Sequence, residues 1–248
     1  MAETLTTGAV GRSFRPSFFF WITVVMAAFV FSGFALTYLR PMAAGTLGPL
    51  PPAIHVHGLF YFSWMILLIA QSLLINVRNV QLHRSVGTFG IVIATSLILS
   101  GALITILFAR SVRANPPADY YFLMYLSVVA LLSFGALFCL AIRNTRKPDT
   151  HRRLILFATI NLLPPGINRL YIVSFGLPEA PLLATFLTMD VLALAILIHE
   201  WRSNRRISGA SWTGAAFVLV PQLLCVPIAT SAAFVSLTGM LADLAYYR

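Results

Sequence analysis

The sequence predicts an all-α integral membrane protein, a bundle of seven transmembrane helices. Of its 248 residues, 59% are hydrophobic and only 10% are charged, whereas about 25% of the residues in a soluble domain are charged. A helix that crosses a bilayer needs about 20 consecutive, mostly apolar residues. Runs of this length occur at residues 17–39, 55–77, 84–109, 120–142, 152–174, 181–200 and 212–240.

The first run follows Arg12 and Arg15, where a signal peptide could also lie. It is longer than the roughly 7–15 apolar residues of a cleavable signal. We therefore interpret it as a helix that stays in the mature protein. Residues 1–16 are then a cytoplasmic tail, and residues 17–248 form one membrane domain.

The basic residues are concentrated on one side of the predicted bundle. The tail and the connections at 78–84, 143–153 and 202–206 contain 12 of the 17 lysine and arginine residues. Positively charged connections face the cytoplasm, so the N-terminus is predicted inside and the C-terminus outside, in a bacterial inner membrane. The net charge of +10 is thereby explained by contact with the lipid bilayer, and it does not require a nucleic-acid partner.

The second run carries a polar face and begins with two histidines. The spacing places on one helical face the residues His57, Tyr61, Trp64, Gln71 and Arg78. Polar groups are costly in hydrocarbon, so this face is predicted to turn inward, where it either bonds to other helices or lines a ligand cavity. His55 can join His57 in a weak metal site only if the helix begins near Gly58, because residues i and i+2 point to different faces.

The third run begins with His83 and Arg84 and continues with a row of small residues. These are Gly87, Gly90, Ala94 and Gly101. Such a row lets a neighbouring helix, or a flat cofactor, approach closely. The spacing from Arg78 to His83-Arg84 recurs from Arg146 to His151-Arg152. This pattern indicates either a parallel repeat of two helices or simply the basic residues expected at cytoplasmic helix ends.

The fifth run contains the sequence NLLPPGINRL, which places Asn161, Pro164, Pro165 and Gly166 deep in the predicted membrane. Proline has no amide hydrogen and clashes with the preceding turn, so we predict a broken helix. Broken helices at this depth are tolerated only where protein or water satisfies the freed backbone groups, and they often mark binding sites.

Two charged residues lie away from the predicted cytoplasmic ends of the fifth and sixth runs, Arg169 and Asp190. Charges inside a membrane are usually paired, so we predict a buried ion pair between them. The pair would be either structural or part of a relay for protons or substrate.

The remaining histidines lie at the predicted cytoplasmic ends of the third, fifth and sixth helices. Neutral imidazole can ligate haem iron or a metal ion, but an interfacial histidine can also rest among lipid headgroups. Gln71, Arg78 and Arg84 could contact haem propionates, headgroups or a quinone carbonyl. The candidate cofactor ligands are His57, His83, His151 and His199.

The chain resembles an uncharacterised family of multi-pass bacterial membrane proteins over roughly residues 55–202. The likeness rests on His57, Gln71, Arg78, His83-Arg84 with Gly87, and the second His-Arg pair at 151–152. Where that family carries a further histidine before its last helix, this chain has Arg205-Arg206-Ile207-Ser208. The resemblance implies a membrane fold and no established activity.

The first functional hypothesis is a protein that binds a redox cofactor, namely haem b, a metal ion or a quinone, between the second and sixth helices. The alternatives are a proton-coupled small-molecule transporter that uses the broken fifth helix, and an accessory or assembly subunit of a larger membrane complex. The only lysine, Lys147, lies in a connection, which excludes a retinal Schiff base in the last helix. The sequence contains no phosphate-binding glycine loop, His-Glu-x-x-His or nucleophile elbow.

Overall fold

The computed structural model describes residues 16–112, 116, 119–178 and 181–244, and these residues form helices and no strand. The helices are α1 (Phe18–Phe34), which continues through a π-helical segment (Ala35–Leu39) into α2 (Arg40–Ala43), α3 (Pro52–Asn76), α4 (Val80–Ser111), α5 (Tyr120–Arg143), α6 (Pro148–Ile160), α7 (Pro164–Phe175), α8 (Leu182–Asn204), α9 (Gly209–Ala229) and α10 (Ala232–Leu244). Residues 1–15 of the predicted tail lie outside the described part.

Six of these stretches are long and apolar enough to cross a membrane, which agrees with the prediction of a multi-pass membrane protein. They are Phe18–Ala43, Pro52–Asn76, Val80–Ser111, Tyr120–Arg143, Leu182–Asn204 and Gly209–Ala229. Side chains cap several of their first turns, since Ser17, Asn79 and Ser208 each accept a backbone N–H at a helix start.

The fifth predicted run is divided into α6 and α7, of 13 and 12 residues. The division falls at residues 161–163, immediately before Pro164 and Pro165. The prolines occupy the first two positions of α7, where the missing N–H groups would have no partner within the helix.

The last predicted run, 212–240, is not one helix. The prediction of a single helix here is wrong, because α9 ends at Ala229 and a new helix, α10, begins at Ala232 after Ser231. The Ser231 hydroxyl accepts the N–H of Phe234 at 3.2 Å, and its carbonyl accepts the N–H of Val235 at 3.0 Å. The resulting α10 packs against α4 and α5.

The broken pair α6 and α7 lies at the centre of the bundle. Helix α6 packs against α5, α8 and α9, while α7 packs against α1 and α8. Helix α3 lies beside α1 and α4, and α4 also contacts α5. The side chains of Phe157, Ile160 and Leu163, at the end of α6 and in the break, are completely buried.

Two close approaches hold the central pair in place. A Cβ added to Gly33 of α1 would lie 2.0 Å from the carbonyl oxygen of Gly166 in α7. A Cβ added to Gly214 of α9 would lie 2.2 Å from the ring of Phe157 in α6. Both contacts require the absence of a side chain, as is usual where membrane helices pack closely.

The bundle has two chemically different ends. We define the arginine end by the turns at 77–79, 144–147 and 205–208, and the proline end by the connections at 44–51 and 176–178. Ser17, before α1, belongs to the arginine end, because its N–H donates to the Asn76 side chain at 3.0 Å. The exposed basic residues of the arginine end are Arg78, Arg84, Arg143, Arg146, Lys147, Arg152, Arg202, Arg205 and Arg206.

Candidate functional site

The break between α6 and α7 presents hydrogen-bond acceptors rather than donors. The N–H of Leu162 turns back to Thr159 at 2.9 Å, and that of Leu163 turns back to Ile160 at 3.1 Å. Pro164 and Pro165 then supply no N–H at all. Carbonyl groups near the break therefore depend on partners from other helices or on a ligand.

Helix α3 supplies a donor to one of these carbonyls and a second donor to a nearby hydroxyl. The Tyr61 hydroxyl donates to the carbonyl of Leu162 at 2.6 Å, and the Trp64 indole N–H donates to the Thr159 hydroxyl at 3.2 Å. Both aromatic side chains are buried. Tyr61 and Trp64, on the polar face of α3, therefore join this helix to the end of α6 and to the break.

The structure does not bring Arg169 and Asp190 into an ion pair, contrary to our prediction. Arg169 donates to the Pro165 carbonyl at 3.0 Å, and its guanidinium lies 4.5 Å from the centre of the Phe34 ring in α1. The two charges have similar depths, but α7 faces α8 with other residues, such as Tyr171, whose hydroxyl bonds to Thr188 at 2.7 Å. We predicted the ion pair from the positions of Arg169 and Asp190 along their helices. The rotation of α7 about its axis turns Arg169 away from Asp190.

A small cavity lies beside the break, on the side of α5, α8 and α9. Its volume of about 20 Å³ is enough for one water molecule. It is lined by Tyr125, Leu126, Val129, Asn161, Pro164, Phe186, Met189, Val218, Pro221 and Gln222. The cavity thus joins the Asn161 side chain of the break to a glutamine in α9 that our sequence analysis missed.

Two buried polar atoms, one in α8 and one in α9, have no hydrogen-bond partner among the described residues. They are Oδ1 of Asp190 and Nε2 of Gln222. Helices α8 and α9 are antiparallel neighbours, and Asp190 lies 14 residues before the end of α8 while Gln222 lies 13 residues after the start of α9. The two side chains are therefore at nearly the same depth. The sequence feature that could have drawn attention to Gln222 is the Pro-Gln pair that it forms within an apolar run.

His55 and His57 have separate partners on different faces of α3. The helix begins at Pro52, so the condition for a shared metal site, a helix start near Gly58, is not met. The His57 imidazole bonds to the Ser100 hydroxyl at 3.0 Å and stacks on Tyr61, whereas His55 bonds to the Tyr38 hydroxyl in the π-helical segment.

Gln71, His83 and His151 form a group at the arginine end. The Gln71 amide can donate to the ring and the carbonyl of His83 and accept from the N–H of Gly87 at 3.1 Å. The His151 ring contacts the Ala141 carbonyl at 2.9 Å. His83 and His151 each lie in the first turns of their helices, α4 and α6.

The other predicted cofactor ligands lie elsewhere. His199 stacks on Phe18, with ring centres 4.0 Å apart, and so faces the start of α1. Arg78 and Arg84 are exposed. Within the described ranges, no group of three or more His, Cys, Asp or Glu side chains is arranged to hold a metal ion.

An ion pair that the sequence did not predict lies between α6 and α8. Arg153 and Glu200 are 3.3 Å apart, with 5% and 2% of their side chains exposed. Glu200 also accepts the N–H of Ser208 at 3.1 Å and the hydroxyl of Ser211. The sequence feature that could have indicated this ion pair is that both residues lie at the ends of apolar runs, next to His151-Arg152 and His199.

Comparison of the chain with protein-family models, curated proteins and solved structures finds no match.

Proposed function

We propose that this chain is a bacterial inner-membrane protein that crosses the membrane seven times and transports a small molecule together with protons. Six long apolar helices support the membrane location, and α6 with α7 supplies the remaining span in two pieces of 13 and 12 residues. The arginine end faces the cytoplasm by the positive-inside rule, which places the N-terminus inside and the C-terminus outside.

The observation that carries this proposal is the acceptor-rich break at the centre of the bundle. Helix α6 points the negative end of its dipole at the break, and the two prolines at the start of α7 remove the N–H groups that would bind an anion there. Carbonyl and carboxyl oxygens near the membrane centre suit a proton or another cation.

Asp190 carries the coupled proton in this proposal. A carboxyl group can bind and release a proton without any other change, and an ionisable residue inside a membrane is by default a candidate for function. Its Oδ1 has no partner among the described residues. Asn161 and Gln222 face the adjoining cavity, while Tyr61 and Trp64 tie the break to α3.

The test uses purified protein in liposomes that contain the pH-sensitive dye pyranine. Amino acids, organic amines and organic acids are added one at a time under an imposed pH gradient. At least one solute is expected to drive proton movement, and Asp190→Asn is expected to abolish it because the amide cannot carry a proton.

Asp149→Asn is the matched control, since Asp149 is an exposed carboxylate at the arginine end. This variant should transport like the wild type. Absence of proton movement with every solute, or an undiminished rate in Asp190→Asn, would contradict the proposal.

A redox-cofactor protein is the second candidate, and the group of Gln71, His83 and His151 favours it. These residues gather an amide and two imidazoles at one end of the bundle, where they could bind haem b, a metal ion or a quinone headgroup. An absorbance spectrum with metal analysis separates the candidates. A Soret band or stoichiometric metal that disappears in His83→Ala would support this candidate, and a colourless, metal-free, folded protein without bound quinone would reject it.

A further inference from the structure

A second and larger cavity opens at the arginine end, between α6, α8 and α9. Its volume is about 460 Å³, within the range of roughly 300–1,000 Å³ that small-molecule sites occupy. It is lined by Asp149, Thr150, Arg153, Glu200, Asn204, Arg206, Ile207, Ser208 and Gly209. None of the transport residues belongs to this lining.

Two helices begin at this cavity. Asp149 and Thr150 belong to the first turn of α6, and Ser208 and Gly209 form the N-cap and first residue of α9. The first N–H groups of a helix have no partner within the helix, and the helix dipole makes this end positive. A converging pair of helix N-termini therefore favours an anion.

A buried guanidinium provides independent support for a ligand here. The side chain of Arg153 is only 5% exposed, and one of its terminal nitrogens pairs with Glu200. Its Nε is buried and has no hydrogen-bond partner among the described residues. A buried donor without a partner is costly. Because Arg153 lines the cavity and only one of its terminal nitrogens pairs with Glu200, the guanidinium retains donors for an acceptor there.

The two carboxylates of the lining already have partners. Glu200 accepts from Arg153, from the N–H of Ser208 and from the Ser211 hydroxyl. Asp149 pairs with Arg152 at 2.8 Å. Arg206 is exposed and also lines the cavity. Within the lining, Arg153 and Arg206 balance the two carboxylates. Because Arg152, outside the lining, neutralises Asp149, Arg206 is left as one positive charge without a counter-charge in the lining.

We propose that this cavity binds a phosphate group, held by the N-termini of α6 and α9 together with Arg153 and Arg206. Arginine and helix N-termini both match phosphate oxygens well. The volume leaves room for the rest of a phosphorylated molecule. The phosphate belongs either to the headgroup of an anionic phospholipid or to a free phosphorylated solute, and the site does not depend on the transport proposal.

The experiment measures phosphate binding by the full chain in a non-ionic detergent. Isothermal titration calorimetry follows inorganic phosphate, and native mass spectrometry follows retention of dioleoylphosphatidylglycerol. Arg206→Gln removes a lining charge and is expected to weaken binding about tenfold or more. Arg202→Gln, an exposed arginine of α8 outside the lining, is its control.

Gly209 offers a second, sharper comparison. Gly209→Pro removes one N–H from the start of α9, where proline is tolerated. The preceding residue, Ser208, is extended, with φ −75° and ψ 158°, and this conformation is compatible with a following proline. Gly209→Ala keeps the N–H, and its added Cβ meets no atom within 4 Å. Binding should be about tenfold weaker in the proline variant than in the alanine variant.

The two arms of the experiment separate the sources of phosphate. Retained phosphatidylglycerol that inorganic phosphate displaces identifies a lipid headgroup, and phosphate binding without lipid retention identifies a free solute. Either result supports the proposal if Arg206→Gln binds more weakly than Arg202→Gln, and if Gly209→Pro binds more weakly than Gly209→Ala. Binding of neither probe, or binding that none of the variants changes, overturns it.

Discussion

Arg153 and Glu200 form a deeply buried ion pair, with 5% and 2% of their side chains exposed. Both carboxylate oxygens of Glu200 have partners, which are Arg153 of α6 and Ser208 and Ser211 at the start of α9. The pair therefore connects three helices at the arginine end. Loss of one member leaves the other as a buried charge without its counter-charge.

Arg153→Gln is expected to lower the free energy of unfolding by about 3–5 kcal/mol, because Glu200 would remain buried without its counter-charge. The neighbouring Arg152→Gln should cost only about 0–1 kcal/mol, since the Arg152 and Asp149 side chains are 43% and 68% exposed. Unfolding in detergent, followed by circular dichroism, measures both. Equal losses in the two variants would contradict this account.

Tyr61→Phe is expected to cost about 1–3 kcal/mol, because the Leu162 carbonyl loses its donor in a dry part of the bundle. Ser127→Ala serves as the control, since the Ser127 hydroxyl bonds to the Leu123 carbonyl one turn earlier in its own helix. The midpoint of thermal unfolding should fall in the tyrosine variant and change little in the serine variant. A Tyr61→Phe protein as stable as the wild type would show that water can replace the hydroxyl.

At the scale of elements, the central fact is that a divided helix occupies the middle of the bundle. Helix α7 can lie there because Gly33 and Gly166 allow it to touch α1 directly. Helix α3 then supplies the side-chain donors that the break lacks. The prolines explain why the helix breaks, and the neighbouring helices explain why the break is tolerated.

Gly33→Ala is expected to destabilise the protein, since its Cβ would lie 2.0 Å from a backbone oxygen that belongs to the opposite helix. Gly58→Ala in α3 is the matched control, because its Cβ would meet nothing within 4 Å. Alanine is a better helix former than glycine, so this control should be neutral or more stable by about 0.5–1 kcal/mol. Thermal unfolding of both variants tests the contact, and similar midpoints would argue against tight packing of α1 on α7.

At the scale of the whole molecule, the two ends of the bundle differ in charge. Exposed basic residues gather at the arginine end, and from the positive-inside rule we propose that this end faces the cytoplasm. In the proposed orientation the phosphate cavity would open toward the cytoplasm, and the Tyr38 and His55 pair would lie near the outer surface. Orientation therefore decides which compartment each site meets.

Cysteine labelling tests this orientation. In a Cys139→Ala, Cys225→Ala background, Gly48→Cys at the proline end should react with a membrane-impermeant maleimide in intact bacterial spheroplasts. Thr145→Cys at the arginine end should react only after lysis. Both positions are exposed, so a reversed pattern would place the arginine end outside and reject the proposed topology.

The sequence by itself determined the membrane class, most of the long helices and the position of the break. These properties are local, because hydropathy over about 20 residues and the chemistry of two adjacent prolines do not depend on distant parts of the chain. The end of α9 was missed although Thr230-Ser231 contains a capping residue, because the apolar run continues on both sides of it. The polar face of α3 could also be predicted from local sequence, because helix geometry determines which residues lie on the same side.

Only the tertiary structure decided which polar side chains meet. Arg169 turns to Phe34 instead of Asp190, and Arg153 finds Glu200, because these partners depend on how each helix is rotated about its axis and which helices become neighbours. Depth along the chain constrains such pairs but does not select among them. The candidate sites of this protein lie between helices, so their composition is decided by packing.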